Sequence, residues 1–177
     1  MQFPGINGDD MKILAVADVT AKYYFDYYTP GRLDGIDLIL SCGDLHREYL
    51  EFLVTMSNRP VLYVHGNHDD CYDQFPPEGC TCIDDQIYVC QGIRILGLGG
   101  SHRYREGKYM YTEAEMRRRI RRLRSQLRRH NGFDILLTHA PARHINDFEN
   151  LSHRGFSCFT ELLDQYQIGR ASCRERV

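Results

Sequence analysis

Six side chains of this chain have the types and spacing to do hydrolytic chemistry together: Asp18, Asp44, Asn67, His68, Asp69 and His139. Hard divalent cations take oxygen ligands, while imidazole suits borderline transition metals. A two-cation hydrolytic site needs one carboxylate able to bridge both ions, with further Asp, Asn and His ligands around it. Such ions, about 3.5–4 Å apart, clamp a phosphoryl group and lower the pKa of a bridging water. Asp18, Asp44, Asn67 and His139 are the right types for ligands. His68 remains as a proton donor beside the metals, and adjacent Asp69 is expected to orient it and raise its basicity.

Elements must bring these residues together. Three apolar runs share one form: residues 12–17 lead to Asp18, 37–42 to Gly43-Asp44, and 60–65 to Gly66-Asn67-His68-Asp69. Each is short and bounded by turn formers, so each reads as a buried strand. Residues 86–91, 93–98 and 133–138 read likewise, the last ending at His139. In α/β sheets, sites gather where loops leave the carboxyl ends of strands. One polar strand end means little; four carrying Asp, Asp, Asn-His-Asp and His are harder to dismiss. Helices are expected over 47–57, over 155–166 with Phe156, Phe159, Leu162 and Leu163 inward, and over 112–130. The last opens on Thr112-Glu113-Ala114-Glu115, a capping box, and carries Met116, Ile120, Leu123 and Leu127 as an apolar stripe. Asn131-Gly132 stops it. Residues 69–85 read as the one loop-rich stretch.

The order Gly43-Asp44, Gly66-Asn67-His68-Asp69, Thr138-His139-Ala140-Pro141 resembles the calcineurin-like metallophosphoesterases. The likeness runs from about residue 12 to 167. It implies an α/β fold, a sandwich of two mixed β-sheets flanked by helices. It also implies two divalent metal ions (Mn, Fe or Zn) at the strand ends. By that likeness Asp44 bridges the ions, Asp18 binds the first, and Asn67 and His139 bind the second. A metal-bridging hydroxide would attack phosphorus, and His68 would stabilise the transition state or protonate the leaving oxygen. The implied reaction is hydrolysis of a phosphomonoester or phosphodiester.

Two departures from the family pattern stand out. Asp18-Val19-Thr20 occupies the place of Asp-x-His, so a histidine ligand to the first metal is missing. The closing Gly-His-x-His, which gives each metal a histidine, is also absent; His144 and His153 stand in unrelated contexts. Residues 168–177, Ile-Gly-Arg-Ala-Ser-Cys-Arg-Glu-Arg-Val, are similar to a translated sequencing adapter. The expected domain is therefore 11–167, lacking its last strand, with 168–177 an artefactual tail and 1–10 a non-native or disordered extension. On this reading the gene continues past Gln167 into a strand and the missing motif.

Other features compete for attention. The 112–130 segment holds eight arginines against Glu113 and Glu115. It could track a nucleic-acid backbone, but a solvated outer face is favoured because the aromatics are not interleaved with the arginines. Cys71, Cys80, Cys82 and Cys90 lack any C-x-x-C pair, so separate reduced thiols are expected rather than a zinc site. Tyr23, Tyr24, Phe25, Tyr27 and Tyr28 would pack at the core or rim. The turn after residue 98 puts His102 and Arg103 forward as weak candidates for substrate contact. His46 and His65 read as structural residues or as supports behind the ligands.

The 177 residues are 42% hydrophobic and 26% charged, with a net charge of −2, which suits one globular domain. No apolar run approaches bilayer length, residues 1–10 are not expected to act as a leader because they lack an apolar stretch, and seven cysteines suggest a cytoplasmic location. The leading expectation is a phosphoesterase acting on a phosphate ester. The runner-up is an impaired domain of the same fold that binds a phosphorylated ligand or partner. A nuclease or nucleic-acid binder using the arginines comes third.

Overall fold

The computed structural model describes residues 11–145, 147, 154–167 and, as backbone, 171–172. Its organisation follows from three apolar layers. β1 (Ile13–Val16), β2 (Leu38–Ser41), β3 (Val61–Tyr63) and β4 (Thr81–Cys82) form one sheet in the order β1-β2-β3-β4. Every neighbouring pair in it is parallel. The second sheet, in the order β10-β9-β6-β5, contains β5 (Gln86–Cys90), β6 (Ile93–Leu98), β9 (Ile135–Thr138) and β10 (Ala171–Ser172). This sheet is mixed, through the antiparallel β5–β6 hairpin. Among the described residues the first sheet holds parallel pairs, because each connection crosses over and returns the chain to the same end. β7 (Ser101–His102) and β8 (Met110–Tyr111) form a small parallel ladder.

Period-2 alternation assigns the faces. Leu38, Leu40 and Cys42 of the first sheet pack against Ile93, Ile95, Ile135 and Leu137 of the second. The alternate residues face outward. Ile39, Val61 and Tyr63 meet Tyr49, Leu50 and Leu53 of α1 (Arg47–Ser57). Leu96, Leu98 and Leu136 meet Met116 of α2 (Glu113–Arg122), Leu127 of α3 (Arg124–Arg129), and Phe159, Leu162 and Leu163 of α4 (Ser157–Tyr166). The result is a helix–sheet–sheet–helix sandwich, in which both sheets are covered on both faces.

The arginine-bearing segment is two helices rather than one. The capping box forms as expected: Thr112 Oγ1 accepts from the Glu115 N–H at 3.3 Å, and Glu115 Oε2 accepts from the Thr112 N–H at 2.7 Å. The ladder breaks at Leu123, whose N–H reaches Ile120 O at 3.1 Å in a tightened turn. The stripe survives the break, since Met116, Leu123 and Leu127 are buried and Ile120 packs beside them. The stretch 69–85 is not all loop, because it contains a 3-10 turn at Asp70–Asp73 and β4.

The aromatic run after Asp18 divides by burial. Phe25 meets Tyr49 and Phe52 edge-on at 5.5 and 5.0 Å, and Tyr28 meets Phe52. Tyr23 and Tyr27 stay exposed, and Arg32 lies over the Tyr23 ring at 4.1 Å. Ala171 and Ser172, in the tail expected to lie outside the domain, pair with Leu136 and Leu137 as β10. His153 lies outside the described residues.

Candidate metal centre

Parallel pairing puts the carboxyl ends of β1, β2 and β3 on one edge, and each delivers a side chain there. Two glycines make the approach tight enough. Gly43 sits at φ +94°, and a Cβ on it would strike the Gly66 backbone nitrogen. A Cβ on Gly66 would fall onto the Asp44 carboxylate. The β2 and β3 loops therefore touch through bare backbone, which leaves Asp44 between them. Asp18 and Asp44 both adopt left-handed backbone, with φ 55° and 57°. Asp18 N–H donates to Gly43 O at 3.1 Å, tying the β1 end to the β2 end.

The facing sheet supplies the histidine. His139 follows β9 and is 1% exposed. Its Nδ1 lies 2.8 Å from the Cys42 carbonyl oxygen, an acceptor with no proton to give. The ring therefore donates from Nδ1, and in the neutral tautomer Nε2 presents a lone pair. That nitrogen lies 3.2 Å from Asn67 Oδ1 and 3.5 Å from Asp44 Oδ2. Ligand atoms of Asp18, Asp44 and His139 all fall within 4.8 Å of one another. A nitrogen and several oxygens brought this close repel unless a proton or a metal cation sits among them. The donor set of carboxylate, amide and imidazole thus fits a divalent metal. The place held by histidine in Asp-x-His is taken here by Thr20.

His68 is exposed, and its backbone N–H donates to Asp44 Oδ1 at 2.8 Å. Asp69 is placed otherwise than expected. Its Oδ2 accepts the N–H groups of Gly66 at 2.7 Å and Asp44 at 2.8 Å, and it makes no hydrogen bond to the His68 ring. Asp69 is 2% exposed. Burial lifts its carboxyl above the usual range, against the lowering effect of those two N–H groups. Its work is to clamp the β2 and β3 loops together rather than to tune His68.

His102 and Arg103 are turned to structural tasks. The His102 ring stacks on Phe156 at 5.1 Å, with Nδ1 buried and unpartnered. Arg103 donates to Met110 O at 3.2 Å and pairs with Glu115 at 3.0 Å, holding β8 and the start of α2. Arg119 is not part of a solvated face. It is 9% exposed, donates to Asp85 at 3.0 Å and Gly99 O at 2.7 Å, and covers the Tyr111 ring at 4.4 Å.

Sequence reasoning missed a second convergence. His65 Nδ1 lies 2.7 Å from Asp84 Oδ2 and 3.8 Å from Cys82 Sγ. Burial alone would depress the His65 imidazolium, but the hydrogen bonds to Asp84 and Cys82 outweigh it and raise it to about 9. No spacing motif announces this group, because strand pairing assembles it: Cys82 is the register partner of Tyr63.

The Calcineurin-like phosphoesterase family profile matches residues 11–169, and the chain belongs to that family. A search of curated proteins found no match. Family members are generally hydrolases of phosphate esters that bind divalent metals, which agrees with the donor set at Asp18, Asp44 and His139. Among the described residues no helix is long and apolar enough to cross a membrane.

Proposed function

We propose that this chain is a metal-dependent phosphoesterase that hydrolyses a phosphomonoester or phosphodiester. Divalent cations held there would polarise the phosphoryl group and provide a nucleophile at neutral pH. The observation that carries the reading is the arrangement at His139, whose Nε2 lone pair faces Asn67 Oδ1 and Asp44 Oδ2 with Asp18 beside them. Asp44 is the centre of the ligand set, with its side chain 7% exposed and its Oδ1 held by the His68 N–H. Asp18, Asn67 and His139 complete that set. The Asp18 side of it is the poorer, because Thr20 is a weak ligand where imidazole would be a strong one. The metals are Mn, Fe or Zn, two when the site is full. His68, at the surface beside Asp44, is placed to hold a proton toward the leaving oxygen.

The test is turnover of p-nitrophenyl phosphate and its bis-ester by the 177-residue chain with added Mn²⁺. Asp44→Asn should abolish turnover, and His68→Ala should lower kcat by about 10²–10⁴-fold, as for loss of a general acid. Turnover unchanged by Asp44→Asn would overturn the assignment. Thr20, in the place of the family's histidine, favours one alternative, a domain of this fold that binds a phosphorylated ligand without cleaving it. It predicts Mn²⁺-dependent phosphate binding, lost in Asp44→Asn, with no turnover of either ester.

A further inference from the structure

The second cluster shares no residue with the Asp18–Asp44–His139 group. His65 leaves the end of β3, Cys82 closes β4, and Asp84 bridges to Gly97 of β6. The three therefore meet at the seam between the two sheets. Their ligand atoms lie within 4.8 Å of one another, in a different place from the Asp18–Asp44–His139 group.

The donor set is one imidazole nitrogen, one thiol sulfur and one carboxylate oxygen. Magnesium and calcium prefer all-oxygen shells; nitrogen with sulfur selects zinc and its neighbours. Tetrahedral zinc, with bonds of about 2.0–2.3 Å, sets its ligand atoms roughly 3.3–3.6 Å apart. The His65–Cys82 separation of 3.8 Å is already close to that, and the His65–Asp84 hydrogen bond of 2.7 Å must open by about half an ångström. A cation would replace both the proton that His65 Nδ1 shares with Asp84 and the proton of the Cys82 thiol, and the two protons leave to solvent as sulfur binds as thiolate.

The surroundings hold the ligands in place. Asp84 Oδ1 accepts the Gly99 N–H at 2.6 Å, which leaves Oδ2 toward His65. The Tyr109 ring lies flat on the His65 ring at 4.3 Å and 11°, fixing its plane. Such outer partners orient metal ligands and are part of a working site. The side chains of His65 and Asp84 are 11% and 16% exposed and Cys82 is half-buried, so the group borders solvent and an ion has a way in. We propose that His65, Cys82 and Asp84 form a separate site for zinc or a similar thiophilic divalent ion, with its fourth position open to water.

The thiol makes the site testable apart from the catalytic reading, since the Asp18–Asp44–His139 group contains none. The metal-free chain is titrated with Co²⁺ alone and followed by absorption. A thiolate-to-cobalt charge-transfer band, saturating at one ion per chain, is expected. It should persist in Asp44→Asn, vanish in Cys82→Ser, and need at least tenfold more Co²⁺ in Asp84→Asn. Absence of the band from the unaltered chain overturns the proposal and needs no variant to fold. A band that survives Cys82→Ser also overturns it, because another cysteine must then supply the sulfur. Failure of the phosphoesterase reading leaves this result untouched, because the band reports sulfur ligation and not turnover.

Discussion

Gly43 and Gly66 show how much the candidate centre depends on atoms that are not there. A side chain on either would push the β2 and β3 loops apart at Asp44. Gly66→Ala should therefore cost about 3 kcal/mol, the upper part of the usual range for overpacking a tight site, and lower the Tm by roughly 6–12 °C. Gly92 gives the control: it also has positive φ, at 86°, but nothing lies within 4 Å of a Cβ there. Gly92→Ala should cost only about 1 kcal/mol of backbone strain. Thermal unfolding of the two variants side by side checks both values; equal Tm losses would refute the steric account. Several residue identities at the centre could be read directly from sequence, because Gly-Asn-His-Asp after a strand is a distinctive string. The task of Asp69 could not. A carboxylate next to a histidine in sequence suggests a partner for that histidine, whereas the turn sends its oxygen back to two backbone N–H groups. The Cys42 carbonyl that sets the His139 tautomer has no sequence signature at all, since every residue has one.

At the scale of elements, α2 begins where its sequence says and ends before its periodicity does. Thr112→Ala removes the oxygen that accepts the Glu115 N–H and should cost about 1 kcal/mol, a Tm fall of roughly 2–4 °C. Thr112→Ser keeps the acceptor and should restore most of the loss; a Thr112→Ala variant as stable as the parent would show that the box contributes nothing. The start was legible because a cap is local chemistry. The break at Leu123 was not, because the apolar spacing of 4, 3 and 4 continues unbroken through the tightened turn. Arg119 was misread for a related reason. Composition counts it with seven neighbours, yet the helix face turns it inward to Asp85, Gly99 and Tyr111. β4, β7 and β8 are two-residue strands, too short to leave any alternation in the sequence.

The whole molecule is a four-layer sandwich, and its ties across the layers set its response to pH and to metal. Arg94 of β6 holds Asp134 at 2.5 and 2.8 Å and also caps the end of α3 through the carbonyls of His130 and Asn131. The Arg94 guanidinium keeps the Asp134 carboxyl below the usual carboxylate range. A depressed carboxylate stabilises the fold fully above its unfolded pKa of about 4, and the contribution fades as pH falls through the lower folded value. The stability gap between the parent and Asp134→Asn should therefore be widest near neutrality and close below about pH 4. A gap that does not change between pH 7 and 3 would contradict this. The buried strands were legible from their apolar runs, and the sandwich of two sheets only from the family resemblance; the parallel pairing of the first sheet was not, because strand direction depends on crossovers that sequence alone does not mark. One last feature binds the two sheets. The Asp18, Asp44 and Asn67 side chains come from one sheet and His139 from the other, with the His139 ring bonded to the Cys42 carbonyl on one side and facing Asn67 and Asp44 on the other. An ion held by all four would act as a rivet through the sandwich, resisting shear between its halves. Mn²⁺ at a hundredfold excess over its Kd should add about 2.7 kcal/mol to unfolding. Amide exchange should slow together in β2 and β9, two strands that share no hydrogen bond; slowing confined to one of them would mean that no rivet forms.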